Sequence, residues 1–147
     1  MSIALTRTLG QFISGLRYQD IPKEAISSIR TAFTDTVAVM IAGAGEPAPQ
    51  LLKSMLAPVG NEATLLVGQG RASALDAAWI NGTAAHALDF DATVQRGGTP
   101  ISVIVPAILA EAEAIGATGE QMVCAFAAGY EIFAELARRD PDRSIGR

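Results

Sequence analysis

Between Ser73 and Leu88 the chain carries Ala74, Ala77, Ala78, Gly82, Ala84, Ala85 and Ala87, with Trp79 and Ile80 set among them. A helix so poor in large side chains lets neighbouring backbones come close, and it gains little from burial unless other helices enclose it. The segment therefore predicts a helix in the middle of a bundle, with Trp79 and Ile80 filling the larger gaps. Ser73 is placed to cap it, and Asp76 three residues on supplies the acidic third position. Gly82 costs roughly 1 kcal/mol of helix propensity against Ala, which implies a packing reason for its presence.

The flanking sequence keeps to the same period. Leu5 to Leu16 repeats apolar residues at helical spacing, and a long pattern starts after Pro22 and runs through Ile29, Phe33, Val37 and Met40 to Gly43-Ala44-Gly45. Pro47 to Leu56 is shorter and closes before Pro58 and Gly60. Thr99-Pro100 opens a helix that reaches Gly116 and should kink at Pro106, while Thr118-Gly119-Glu120-Gln121 is a capping box for a last helix through Phe126 and Leu136 to Arg138-Arg139. Ala63 to Gly68 alone reads as extended. The fold class is all-α: an irregular bundle of about six helices in one domain, with at most one short extended segment.

Half of the 147 residues are apolar and 18% are charged, which excludes a disordered chain. A net charge of −4 offers no footprint for nucleic acid or an anionic membrane, and neither partner is expected. Cys124 is the sole cysteine, so no intramolecular disulfide forms; a cytoplasmic protein fits, and the apolar neighbours of Cys124 point to packing, not catalysis. The N-terminus lacks a signal-peptide pattern, and the apolar runs Thr36 to Ala44 and Ile101 to Ala110 are too short to span a bilayer.

Chemistry concentrates where the small-residue helix ends. His86, the only histidine, is followed by Asp89, Asp91 and Thr93. If the helix continues, His86, Asp89 and Thr93 share one stripe and Asp91 turns away; if the chain becomes extended after Leu88, Asp89 and Asp91 point the same way. Either arrangement sets an imidazole beside a carboxylate, as proton transfer to a small molecule requires. A His-Asp pair at a helix end also makes a plain local hydrogen bond or cap. His86, Asp89 and Asp91 are potential metal ligands, but one histidine and a distant cysteine fall short of a zinc site, and no metal is expected. Gly68-Gln69-Gly70 and Gly97-Gly98 match no phosphate-binding fingerprint.

Asn81-Gly82, Ala85-His86-Ala87-Leu88-Asp89-Phe90-Asp91, a glycine-rich turn, Pro106-Ala107 with Leu109-Ala110-Glu111-Ala112-Glu113, and Gly129-Tyr130-Glu131 stand in an order that resembles the MmgE/PrpD family across nearly the whole chain. That family includes 2-methylcitrate dehydratases, cis-aconitate decarboxylases and iminodisuccinate epimerases. The resemblance implies a lyase or epimerase subunit acting on a small polycarboxylate without metal or organic cofactor, and a homodimer. Asp89 and Thr93 match the family's catalytic positions, His86 stands beside them, and Asp91 and Thr99 are placed to bind substrate. The free N–H groups at the start of the Thr99-Pro100 helix are open to a substrate carboxylate. Thr99 stands where the family usually has histidine, and a hydroxyl is a poor proton carrier near neutral pH. By the same resemblance residues 1–147 are the N-terminal part of the family's helical domain. The α+β lid domain that the resemblance implies, with its further histidine, lysine and tyrosine, is not expected within these residues, so this chain alone is expected to be inactive. The competing reading is a non-catalytic helical interaction domain, a degenerate or truncated paralogue.

Overall fold

The computed structural model describes residues 4–94 and 98–139. Six helices follow one another among them: α1 (Leu5–Gly15), α2 (Lys23–Gly43), α3 (Pro47–Leu56), α4 (Ala74–His86), α5 (Ile101–Ile115) and α6 (Gly119–Arg139). The all-α expectation holds, with one addition. The extended segment after α3 is β1 (Ala63–Leu65), and it has a partner, β2 (Gly70–Ala72), paired antiparallel with Ala63 opposite Ala72. The sequence of β2, Gly-Arg-Ala, carries no strand propensity, so only its pairing with β1 makes it a strand.

Helix α4 is the central element and packs on α5, α2 and α3. Ser73 Oγ accepts the Asp76 amide at 3.2 Å, as the capping pattern requires. Ala77, Ile80, Ala84 and Ala85 are fully buried. Trp79 is not a core residue: it is 57% exposed, because consecutive positions on a helix lie about 100° apart and Ile80 takes the inward place.

The close approach that the small residues permit falls at an unexpected glycine. A Cβ at Gly43 would collide with the carbonyl oxygen of Ala84, so α2 ends with its backbone against that of α4. At Gly82 a Cβ would stand 3.5 Å from the Ser102 carbonyl oxygen and 3.8 Å from Pro106, an ordinary contact. Helix α5 runs unbroken through the buried Pro106, which has no N–H to return to the Ser102 carbonyl, and Gly82 lies opposite that carbonyl.

Asn81 ties the hairpin to α4. Its buried side chain donates to the Thr64 carbonyl at 2.9 Å and accepts the Leu66 amide at 3.0 Å. The Glu113 carboxylate of α5 accepts the Thr64 amide and hydroxyl at 3.0 and 2.8 Å, and pairs with Arg71 at 3.2 Å. The open edge of β1 is thereby closed by two helices, as an edge strand requires. A second cluster, Ile21, Ile29, Val105, Val123 and Phe126, joins α2, α5 and α6, with the Phe126 ring 5.7 Å from Phe33 and 5.9 Å from Tyr130. The α6 capping box is present, Thr118 and Gln121 exchanging side-chain bonds at 2.7 and 3.3 Å. Helix α2, with 21 residues and an 18-residue stretch of mean hydropathy 1.2, is by length and composition long and apolar enough to cross a membrane; it packs on α4, α5 and α6 and buries Ile29, Val39 and Met40.

The two glycines separate in a direct test. Gly43→Ala is expected to cost about 2–3 kcal/mol or more, because two backbones must part. Gly82→Ala should be neutral or gain up to about 1 kcal/mol from helix propensity. Urea unfolding midpoints of the two variants check both signs.

Candidate active site

Helix α4 stops at His86. The Ala87 amide bonds the Ala84 carbonyl at 3.3 Å and the Asp89 amide bonds the His86 carbonyl at 3.2 Å, while Asp89 itself takes a left-handed conformation with φ 55°. Helices commonly end in that conformation, usually with glycine; aspartate and asparagine are among the side chains that tolerate it. Neither sequence-based geometry survives, since the chain is neither helical nor extended at Asp89. The left-handed turn sends the backbone back towards α4, and Asp91 reaches the ring it left behind. His86 Nδ1 lies 2.9 Å from Asp91 Oδ1 and 3.1 Å from Oδ2.

The two partners differ in environment. The Asp91 side chain is 3% exposed and that of His86 58%. Burial pushes the Asp91 carboxyl up, but hydrogen bonds from His86, Ser102, its own backbone and Thr99 outweigh it and hold the carboxyl below its ordinary value of 3.8. The hydrogen bond to Asp91, then its charge and that of Asp89, raise His86 above 6.5 against a smaller opposing effect of burial.

Among the described residues, His86, Asp89 and Asp91 bring ligand atoms within 4.8 Å of one another. The set has the composition of a metal site. Holding an ion through Nδ1 and Asp91 would break the hydrogen bond between them, and the remaining Nε2 and Asp89 are two ligands where a catalytic zinc uses three.

A cleft of 440 Å³ opens between α4 and α5, within the range of small-molecule sites. Trp79, Gly82 and Val103 line its apolar part, and His86, Thr99 and Ser102 bring polar groups to it. The predicted residues thus divide. His86 and Thr99 reach the cleft, Asp89 joins His86, Asp91 lies buried beneath, and Thr93 is exposed and outside the cleft wall. The α5 N-terminus already has an anion of the protein's own beside it, since Thr99 and Ser102, on either side of its N-cap Pro100, help to hold the Asp91 carboxyl low. Arg96, the cation nearest the acidic motif in sequence, lies outside the described residues. Ser102 was missed by sequence reasoning, although its place three residues after Thr99 puts it on the same first turn. Cys124 is half-buried, and burial pushes its thiol up, which suits packing and not nucleophilic attack.

The His86–Asp91 pair makes stability depend on pH in two directions. A raised histidine contributes fully below 6.5 and loses that contribution as pH rises through its folded value; a lowered aspartate contributes fully above 3.8 and loses it as pH falls through its own. The pair is therefore worth most between 3.8 and 6.5. His86→Gln should flatten the decline in unfolding free energy above pH 6.5, measured by urea titration across pH.

No curated protein matches the sequence. The family model described as the MmgE/PrpD N-terminal domain matches residues 7–146, so the chain belongs to the MmgE/PrpD family.

Proposed function

We propose that the chain forms the helical part of a lyase or epimerase that takes a proton from a carbon next to a carboxylate of a small polycarboxylate. The observation that carries this reading is the convergence of His86, Asp89 and Asp91 within 4.8 Å, with His86 also lining a cleft of 440 Å³. Family membership supports the reaction class. Removing such a proton leaves an electron pair on carbon, which either expels a leaving group such as hydroxide from the neighbouring carbon or is reprotonated on the opposite face. Asp89 serves as the base and His86 as the group that donates or holds a proton near neutral pH. With His86 protonated the three side chains still sum to one negative charge, so the carboxylates of the substrate need cationic partners beyond this cluster. Thr93 and Thr99 offer hydroxyls only. No metal or organic cofactor enters the scheme, and a cytoplasmic homodimer accords with it.

The left-handed turn makes Asp89→Asn an informative variant, since asparagine also accepts φ near 55°. In the protein as synthesised from its gene, Asp89→Asn should abolish loss of methylcitrate, cis-aconitate or iminodisuccinate followed by proton NMR, with the unfolding midpoint unchanged. Asp89→Ala should lose activity and, in addition, about 1 kcal/mol of stability from backbone strain. A turnover rate that survives Asp89→Asn would refute the catalytic role.

A second reading, a non-catalytic helical interaction domain, has its own support. Leu75, Trp79 and Val103 are 76, 57 and 69% exposed, and all three line the α4–α5 cleft. Apolar groups grouped in this way mark surfaces that another chain covers. Sedimentation at micromolar concentration should give a dimer or larger species; a stable monomer counts against both this reading and the homodimer.

A further inference from the structure

We propose that Asp91 is a positioning residue that holds the His86 ring with its proton on Nδ1 and leaves Nε2 as the nitrogen that meets substrate. The proposal deepens the catalytic reading above and rests on it. An ionised carboxylate only accepts hydrogen bonds, so a ring nitrogen 2.9 and 3.1 Å from its two oxygens must carry the proton. Asp91 is poorly placed to touch substrate: its side chain is 3% exposed, and His86 already bonds both of its oxygens. It holds the ring from the buried side, and the ring, more than half exposed, borders the cleft. The same kind of carboxylate behind a histidine orients imidazoles in metal sites and hydrolases, where the second nitrogen is the working one.

Among the described residues, the charged groups acting on the ring are Asp91 and Asp89, both on the loop after α4; the α5 side offers the hydroxyls of Thr99 and Ser102. Below its raised pKa the ring is a cation able to hold a substrate carboxylate, and above it Nε2 becomes a proton acceptor. Asp91 sets the pH at which one role gives way to the other.

His86 is the only histidine, so both ring nitrogens can be assigned in the full chain by long-range proton–nitrogen correlation without ambiguity. The wild-type ring should titrate above 6.5 and, once neutral, carry its proton on Nδ1. Asp91→Asn should lower that titration, and Asp91→Ala should also move the neutral proton towards Nε2. In the turnover assay Asp91→Asn should lower kcat by about 10-fold to 100-fold with KM nearly unchanged and shift the pH profile. A neutral wild-type ring protonated on Nε2 overturns the proposal without need of any variant, as does an Asp91→Asn ring that titrates where the wild type does. A KM that rises while kcat holds overturns it in favour of direct substrate binding. Absence of turnover of every polycarboxylate by the wild type would instead sink the catalytic reading, while the ring measurement still decides what Asp91 does to His86.

Discussion

The contact between Gly43 and the carbonyl of Ala84 is the constraint on which the rest of the structure hangs. With no side chain between them, the last turn of α2 fixes both the height and the rotation of α4. Ala84 lies only two residues before His86, so the same contact fixes where α4 ends and where the ring emerges. Asn81 and Glu113 then fasten the hairpin to α4 and α5, and Val105 and Phe126 join α5 to α6. A rigid interior thus reaches to within one helical turn of the candidate chemistry, and this precision is what a proton-transfer site needs.

The starts of α3, α4 and α6 were legible because each is announced by local chemistry: Pro47 at a first turn, Ser73 with Asp76, Thr118 with Gln121. What a single helix face does not encode was not legible. Trp79 and Ile80 have comparable hydrophobicity, and only the identity of the neighbours decides that Ile80 is buried and Trp79 exposed. Gly43 and Gly82 both interrupt helical patterns, yet the backbone contact belongs to the one nearer the helix end. Strand β2 exists by virtue of its partner. For the site, the grouping of His86, Asp89 and Asp91 was readable from their nearness in sequence, whereas the pairing of His86 with Asp91 was not. It depends on the left-handed residue at position 89, and aspartate gives only a weak indication of that conformation.

Thr99, where the resemblance drawn from the sequence would place a histidine, has a structural part to play beside Asp91. The hydroxyls of Thr99 and Ser102 help to hold the Asp91 carboxyl low, while the Ser102 hydroxyl donates to the Thr99 carbonyl at 2.7 Å. The start of α5 thus helps to stabilise a buried anion. The same anion raises the basicity of His86.

This arrangement also bears on which ligands the cleft favours. Asp91 stabilises a charge on His86 but cancels it at a distance, so the pair has little long-range field and acts only on a group that reaches the ring. Asp89, on its left-handed turn beside them, adds a second carboxylate. On the reading proposed above, a polycarboxylate entering here would be held at one point by His86 and repelled at another by Asp89. That repulsion is greatest in the ground state and falls as Asp89 takes up the proton, since the base becomes neutral as the charge moves onto the substrate. An interaction that is unfavourable before transfer and relieved during it lowers the barrier instead of merely tightening binding. The negative character of the cluster is in this way compatible with an anionic substrate, provided that cationic partners outside the cluster hold the remaining carboxylates.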